Sequence, residues 1–242
     1  MVEQSLQDAR EEVALAHRLA THHGLNEGVW NHISFVSPAQ DGCILISPGH
    51  THWSQVTASN LALMDNDGQL IAGSRSPIRA GWIIHKPIHD ARPDAKCVIH
   101  IHGPYTTAMS IRKDILFETR SSQQAAMLHD DVAYFDEYDG VLEGLEEGQR
   151  MAAALGNKRV LFLRNHGVVV VGRSVSAAYL DLYQLERACM YQILACSGGG
   201  KMQLIPEVVA AEISERAKHG LFDEHFEGMR RWINEIDRDY AL

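Results

Sequence analysis

Two histidines in one short apolar segment are the first residues of this chain whose spacing suggests chemistry. In Ile99-His100-Ile101-His102 the histidines are two positions apart. In a β-strand, residues i and i+2 project from the same face, so His100 and His102 would lie side by side. Two imidazoles placed in this way can bind one metal ion. The same spacing also occurs on ordinary sheet faces, so the pair alone leaves a structural role open.

A catalytic metal site needs a third protein ligand, and His166 is the best candidate for it. It lies in Arg164-Asn165-His166-Gly167, where the pattern predicts a turn between two apolar strands. Three histidines on one side of an ion leave open positions for a substrate oxygen. A solvated turn histidine is the alternative interpretation of this residue.

Four other histidines and one arginine are weaker candidates. His85 and His89 lie four residues apart in a predicted helix, but the glutamate of an HExxH zinc motif is absent, so we interpret them as structural or supporting residues. His32, His50 and Arg79 lie in or beside polar loops, and each is as suited to solvent as to a ligand. Arg79 could pair with a carboxylate through two hydrogen bonds.

The elements that must position these residues follow from hydrophobic periodicity. Helices are predicted at residues 5–22, 57–65, 78–91, 141–156, 174–196, 206–220 and 223–240. Strands are predicted at residues 29–37, 43–47, 96–102 and 130–135, with two more in 159–172 and a hairpin turn at 66–68. Because strands cluster in the middle of the chain and helices flank them, we predict one α/β domain over residues 1–242. Its mixed, largely antiparallel sheet is covered by helices on both faces, and a helical C-terminal extension follows from about residue 201.

Charge and composition narrow the class of protein. The chain has 22 Lys and Arg against 31 Asp and Glu, a net charge of −9, which argues against binding to nucleic acid or to an anionic membrane. No apolar run approaches the roughly 18 residues of a membrane span, and the N-terminal segment has no apolar signal region. We therefore expect a cytoplasmic protein whose partner is a small-molecule substrate. The four cysteines lie in apolar contexts without a CxxC pair, which predicts buried free thiols.

Four segments, taken in order, resemble the class II aldolase and adducin family. They are NHIS at 31–34, ILISPG at 44–49, HDARPDAKCVIHIHGPYTTAMS at 89–110 and RNHGVVVVG at 164–172. The resemblance covers most of residues 5–195 and implies a three-layer α/β/α sandwich in a cyclic homotetramer, with active sites between neighbouring subunits. In that family the histidines of HxH and of NHG bind a divalent metal, zinc or manganese. The resemblance therefore implies this role for His100, His102 and His166.

One departure from the family concerns its proton-transfer residue. The sugar-phosphate aldolases have a Glu, and the epimerase an Asp, at the position that corresponds to Gly81 in this chain. Its absence argues against ordinary aldol chemistry. The pattern AGWxxH at 80–85 instead resembles the adducin-like branch. That branch includes adducin heads and bacterial decarboxylases of aromatic or pyridine carboxylates.

A second departure concerns the substrate. The family's phosphate-binding serines and its Gly-Asn loop are altered here, and we expect substrate contacts from Asn31, His32, Ser47, Gly49 and Arg79. Imidazoles and a guanidinium suit a carboxylate or a phenolate, so the substrate need not carry a phosphate.

Together these residues predict a divalent-metal-dependent carbon–carbon lyase that decarboxylates a small hydroxylated or oxo carboxylic acid. Aldol cleavage of a sugar or sugar phosphate is the alternative within the same chemistry. A non-catalytic, adducin-like binding or assembly module is the alternative from another class, although such a module should have lost its metal ligands. The proton donor is open among His50, Tyr105, Glu118 and Tyr240.

Overall fold

One mixed sheet forms the centre of the molecule. The computed structural model describes residues 5–114, 116–137, 140, 144–220 and 223–242. Within these ranges the strands are β1 His32–Val36, β2 Ile44–Ile46, β3 Ala62–Met64, β4 Leu70–Ala72, β5 Cys97–Ile101, β6 Val132–Phe135, β7 Val160–Leu163 and β8 Gly167–Gly172. Their order across the sheet is β4-β3-β2-β1-β5-β8-β7-β6. The neighbours β6 and β7 are parallel and the other described pairs are antiparallel, which confirms the predicted mixed, mostly antiparallel sheet.

Helices cover both faces of this sheet. They are α1 Leu6–His22, α2 Arg79–Ala91, α3 Pro104–Ile111, α4 Gln123–Ala126, α5 Leu145–Leu155, α6 Val175–Cys196, α7 Glu207–Lys218 and α8 Asp223–Ile236. One apolar cluster joins α1, α6 and α8 to one face, and a second joins α2 and α5 to the other. This arrangement confirms the expected three-layer α/β/α sandwich.

The alternation of side chains along β5 assigns its two faces. Cys97, Ile99 and Ile101 are buried in the cluster beneath α1 and α6. Val98 packs into the other cluster, beneath α2 and α5, and His100 projects from that same face because it is two residues further along the strand. The pleat of β5 therefore directs His100 to the α2 side of the sheet.

Helix α2 contains a proline and still packs closely on the sheet and on α5. Pro87 has no N–H to donate to the carbonyl of Ile83, four residues earlier. Gly148 of α5 comes so close to that carbonyl that a Cβ there would lie only 1.9 Å from the Ile83 oxygen. A glycine is therefore required at the point where the two helices meet.

Three local differences between the predicted and observed elements need comment. The helix predicted at 57–65 is wrong, because Asn60 Oδ1 accepts a hydrogen bond from Thr57 N in a turn and residues 62–64 then pair with β2 as strand β3. The short helices α3 and α4 were not predicted. The helix predicted from residue 141 begins at Leu145 in the structure, and residues 141–143 lie outside the described part of the chain.

The cysteines are free thiols, as expected, with Cys43, Cys97 and Cys189 buried and Cys196 half-buried. Within the described ranges, no helix combines the length and apolar character needed to cross a bilayer.

Candidate metal centre

Strand β5 and the β7–β8 turn bring three histidines together. His100 lies near the end of β5, His102 follows it, and His166 lies in the turn between β7 and β8. The ring centroids are separated by 4.9 Å for His100 and His102, 4.8 Å for His100 and His166, and 4.7 Å for His102 and His166. One nitrogen from each ring lies within 4.8 Å of the other two, which suits a single shared ion.

Backbone geometry around the turn makes this approach possible. Asn165 adopts a positive φ of 57°, a conformation that Asn tolerates better than most residues. Gly167 then begins β8 so close to β5 that a Cβ there would lie 2.3 Å from the Ile101 carbonyl oxygen. The Asn-His-Gly sequence therefore places His166 against the end of β5.

The hydrogen bonds of the outer ring nitrogens show that these residues fit a cation. His100 Nδ1 donates to the Val168 carbonyl at 3.0 Å, and His102 Nδ1 lies 2.6 Å from the Glu27 carboxylate. When both rings are neutral, each Nε2 atom therefore carries a lone pair instead of a proton. The two Nε2 atoms face each other at a distance of 3.0 Å. Two lone pairs at that distance repel each other unless a positive ion or a proton lies between them. A carboxylate or carbonyl behind each ligand is also the usual support of metal-binding histidines.

Burial keeps three histidines of the cavity, His32, His100 and His166, neutral. It places the pKa of His100 well below the usual value near 6.5, with further lowering by His166 and His32. Burial is also the main cause that lowers the pKa of His166 to about 4 and that of His32 to about 3. Neutral imidazole is the form that binds metals, so His100 and His166 are in the form of a ligand at neutral pH.

The three histidines open onto a cavity of about 300 Å³. Apolar side chains form much of its wall, and the exposed Trp30 lies at its edge with 63% of its surface accessible. The residues that line it are Val29, Trp30, His32, His50, Ile78, Ala80, Ile84, His100, His102 and His166. A small planar or compact organic acid bound in the cavity would contact imidazole nitrogens on one side and apolar surface on the other.

Of the residues expected to bind substrate, His32 is among those that line this cavity, and the other four are not. Asn31 Oδ1 accepts a hydrogen bond from Glu27 N at 2.5 Å. Ser47 faces α1, where its hydroxyl bonds His17 Nε2 at 2.7 Å and Ile33 N at 2.8 Å. Gly49 N donates to the Ser76 carbonyl at 3.0 Å, and Arg79 is exposed at the start of α2.

Of the four proton-donor candidates, His50 lines the cavity, on an exposed position with a φ of 56°. Tyr105 is half-buried on α3 and packs against the core beneath α1 and α6. Glu118 accepts a hydrogen bond from Arg120 N at 3.0 Å, outside the cavity lining. Tyr240 is buried near the C-terminus, where its hydroxyl donates to Asn234 Oδ1 at 2.7 Å.

Sequence reasoning did not single out Glu27 or Trp30. Glu27 lies in the loop before β1, and its only signal in the sequence is a carboxylate in a polar segment. Its role depends on a contact with His102 across 75 residues, which no local pattern shows. Trp30 is an apolar residue in the same loop. Its position in the sequence gives no signal, and only its exposure in the structure identifies it as a candidate.

Two other places in the described structure were candidates for a site: a cluster of possible metal ligands and a second cavity. His129, Asp130 and Glu207 could hold an ion, but both ring nitrogens of His129 are already bonded, to Thr119 Oγ1 at 2.9 Å and to Glu207 Oε1 at 2.8 Å. A second cavity of about 200 Å³ lies beside Arg159, whose guanidinium pairs with Asp181 and Asp131. The histidine centre is therefore the stronger candidate site.

Comparison with known proteins agrees with this geometry. A model of the class II aldolase and adducin N-terminal domain matches residues 11–193. A Caulobacter vibrioides protein named "Putative aldolase class 2 protein" is 35% identical over 215 residues, which are 88% of this chain and 82% of that protein. Alpha-adducin of Mus musculus is 38% identical over 196 residues, which are 78% of this chain but 26% of the much longer adducin.

Solved structures show the same fold. An aldolase II superfamily protein from Pseudomonas syringae superposes with a TM-score of 0.88 at 32% identity, covering 100% of this chain and 97% of that one. An L-fuculose 1-phosphate aldolase from Glaciozyma antarctica superposes with a TM-score of 0.83 at 24% identity, covering 97% and 92%. The matched family model, the identity to these relatives and the shared fold lead to one conclusion: this chain belongs to the class II aldolase and adducin family.

Proposed function

We propose that this protein is a divalent-metal-dependent carbon–carbon lyase that decarboxylates a small hydroxylated or oxo carboxylic acid. The observation that carries the proposal is the composition of the cavity. It joins three mutually close histidines to apolar surface, and no Asp or Glu is among its described lining residues. Loss of carbon dioxide needs an electron sink and a later proton, but no carboxylate base that acts on carbon.

The chain's own residues divide the work. His100, His102 and His166 would hold the ion, with the Val168 carbonyl and Glu27 orienting two of the rings. A divalent ion bound there supplies a Lewis acid that stabilises negative charge developing on a substrate oxygen. The apolar wall would hold the carbon skeleton and exclude water, which strengthens every polar interaction inside the cavity.

Two alternatives have support of their own. The resemblance in fold to an L-fuculose 1-phosphate aldolase favours aldol cleavage of a sugar or sugar phosphate. The 38% identity to alpha-adducin favours a non-catalytic binding or assembly module. The close histidines argue against the second alternative, and Gly81 at the position of the aldolases' acid argues against the first.

Metal analysis and a substrate panel test the proposal. We expect about one zinc or manganese ion per chain in the purified protein, lost in His100→Ala and kept in His219→Ala, a matched change at an exposed histidine. With either metal added, we expect carbon dioxide release from a hydroxylated carboxylic acid and negligible cleavage of sugar phosphates. Equal metal content in the two variants would disprove the metal site. Efficient sugar-phosphate cleavage without any decarboxylation would establish the aldolase instead.

The protein is further proposed to be a homotetramer. Large apolar side chains remain exposed on and after α3 and on α6, as expected of a surface that another subunit covers: Ile111 (58%), Leu116 (55%) and Leu194 (57%). Light scattering at micromolar concentration should give the mass of four chains, and a strictly monomeric mass would contradict this assembly.

A further inference from the structure

His32 occupies the space into which a side chain at position 81 would point. A Cβ built on Gly81 would lie 3.2 Å from His32 Cδ2 and 3.3 Å from His32 Cγ. The ring of His32 also stacks on His100, with centroids 5.0 Å apart, and it lines the cavity. An imidazole on β1 therefore stands where a helix-borne side chain from α2 would otherwise reach the site.

A buried chain of hydrogen bonds runs from His32 away from the cavity. His32 Nδ1 lies 3.0 Å from His85 Nε2, and His85 Nδ1 lies 2.6 Å from Ser34 Oγ. Ser34 Oγ in turn lies 2.7 Å from His89 Nε2, and His89 Nδ1 lies 2.9 Å from the Ala95 carbonyl oxygen. The four side chains are all buried, with at most 8% of their surfaces exposed.

The end of this chain determines the direction of every bond in it. A carbonyl only accepts, so His89 Nδ1 carries a proton and its Nε2, in the neutral ring, accepts from the Ser34 hydroxyl. Ser34 has one proton to donate, so its oxygen accepts from His85 Nδ1–H. His85 Nε2 is then an acceptor, and the Nδ1–H of His32 donates a hydrogen bond to it. Neutral rings are required here because all three imidazoles are buried, and an imidazolium whose hydrogen-bond partners are uncharged is costly to bury.

The consequence is an oriented lone pair in the cavity. Since Nδ1 of His32 is the donor to His85, the Nε2 atom of the neutral ring carries no proton, and no described residue forms a hydrogen bond with it. The three nitrogens that lie close enough to share an ion come from His100, His102 and His166. His32 Nε2 thus stands beside that group, as a proton acceptor rather than a member of it.

We propose that His32 is the catalytic residue that exchanges a proton with the substrate, in place of the carboxylate missing at position 81, and that His85, Ser34 and His89 are positioning residues that set its tautomer. The inference rests on the lyase function proposed above. The substrate that this inference requires carries two groups on one carbon skeleton: an ionisable hydroxyl, which reaches His32, and a nearby carboxylate.

The proton balance of the reaction is simple. His32 Nε2 takes the proton of the substrate hydroxyl, because the carboxylate and the developing oxyanion of the bound substrate favour the charged imidazole that burial alone disfavours. When the carbon–carbon bond to the carboxylate breaks, its electron pair stays with the organic fragment and carbon dioxide leaves. His32 Nε2–H returns the proton to that carbon, and the substrate oxygen regains one from water. In sum, a carboxylate and one solvent proton become carbon dioxide and a C–H bond, with no external oxidant or reductant.

Neutron diffraction from deuterated crystals of the zinc-loaded protein tests the tautomers without any assay of activity. We expect deuterium on Nδ1 of His32, His85 and His89, on the Ser34 oxygen towards His89, and none on His32 Nε2. Deuterium on His32 Nε2 with Nδ1 bare, or His32 Nε2 bonded to the zinc ion, would overturn the inference whether or not turnover is seen.

Variants test the proton exchange. His32→Phe keeps a planar ring but has no nitrogen, and we expect kcat to fall by about 10²–10⁴-fold with zinc content unchanged. His219→Phe, the same change at an exposed position, should leave kcat unaltered. A zinc-loaded His32→Phe protein with the kcat of the unmodified chain would overturn the inference. Absence of turnover by the zinc-loaded unmodified protein on every acid would instead overturn the proposed function.

The positioning residues have a readout of their own. Ser34→Ala removes the hydroxyl that links His85 to His89, so both tautomers of His85 become accessible. We expect kcat to fall more than KM changes, and Ser34→Thr, which restores a hydroxyl, to recover it. Equal kcat in Ser34→Ala and the unmodified protein would show that the chain does not act through His32. The diffraction experiment decides the tautomers even where a Ser34 variant does not fold.

Discussion

Gly81 and the ring of His32 are in close contact, and the contact can be measured as a coupling free energy between substitutions at the two positions. In Gly81→Glu the new Cβ would lie 3.2 Å from the His32 ring, so the ring has to shift to admit the side chain. In a His32→Ala background that ring is gone. We therefore expect Gly81→Glu to destabilise the His32→Ala protein less than the unmodified one, by about 0.5–3 kcal/mol of coupling. Denaturant unfolding of the four proteins gives this number, and additive effects would contradict the contact.

Glu27 acts on the metal centre through His102. Its carboxylate lies 2.6 Å from His102 Nδ1, where it orients the ring and makes the opposite nitrogen a better ligand. Glu27→Gln keeps an oxygen acceptor but loses the charge, and we expect zinc affinity to fall by about 10–100-fold in competition with a chelator. Glu235→Gln, at an exposed position on α8, is the control. Equal affinities in the two variants would rule out this supporting role.

At the scale of elements, Arg159 ties the start of β7 to its neighbours. Its guanidinium donates to Asp181 on α6 at 2.8 and 2.9 Å and to Asp131, in the loop before β6, at 3.0 Å. All three side chains are largely buried, with 16% or less of their surfaces exposed. Water therefore screens this interaction poorly. Its loss would destabilise the packing of β7, α6 and the loop before β6 together.

Removal of the arginine should be costly. Arg159→Met would leave two largely buried carboxylates without this partner, and we expect a loss of about 3–5 kcal/mol in the free energy of unfolding. Arg216→Met breaks an exposed pair with Glu212 on α7 and should cost no more than about 1 kcal/mol. Urea unfolding of both variants checks the contrast. Similar small losses would show that the buried cluster contributes little.

The whole molecule should be sensitive to acid because it buries neutral histidines far apart in the fold. Burial lowers the pKa of His17, on α1, and that of His89, on α2, to about 4 each. In the unfolded chain both return to about 6.5. Between these values the unfolded state binds more protons than the folded state. The stability contributed by each neutral histidine is therefore present above pH 6.5 and is lost as the pH falls towards 4.

Denaturant unfolding at pH values from 4 to 7 measures this effect. Each such histidine adds up to about 1.4 kcal/mol per pH unit to the slope in this window. His17→Gln keeps a hydrogen-bonding end but does not titrate, so its slope should be lower by up to that amount. A slope unchanged by His17→Gln would mean that His17 does not take up a proton on unfolding.

The sequence alone determined those features that depend on a pattern within one short segment of the chain. The two-residue period of Val98, His100 and His102 assigned one face to both histidines, and the Asn-His-Gly turn marked His166. Apolar periodicity placed the long helices and most strands, because each pattern lies within a single element. The family resemblance, read from motif order, agreed with the fold that the structure shows.

Only the tertiary structure decided which residues meet. Ser47 and Tyr240 form polar contacts away from the cavity. From a loop with no marked pattern, Glu27 reaches the outer nitrogen of His102 and Trp30 reaches the cavity lining. The pairing of β1 with β5 sets His32 against His100, and the packing of α2 sets it against Gly81. A local pattern specifies the direction of a side chain from its own backbone. What that side chain contacts depends on strand pairing and helix packing across long stretches of chain, and these are fixed only when the core closes.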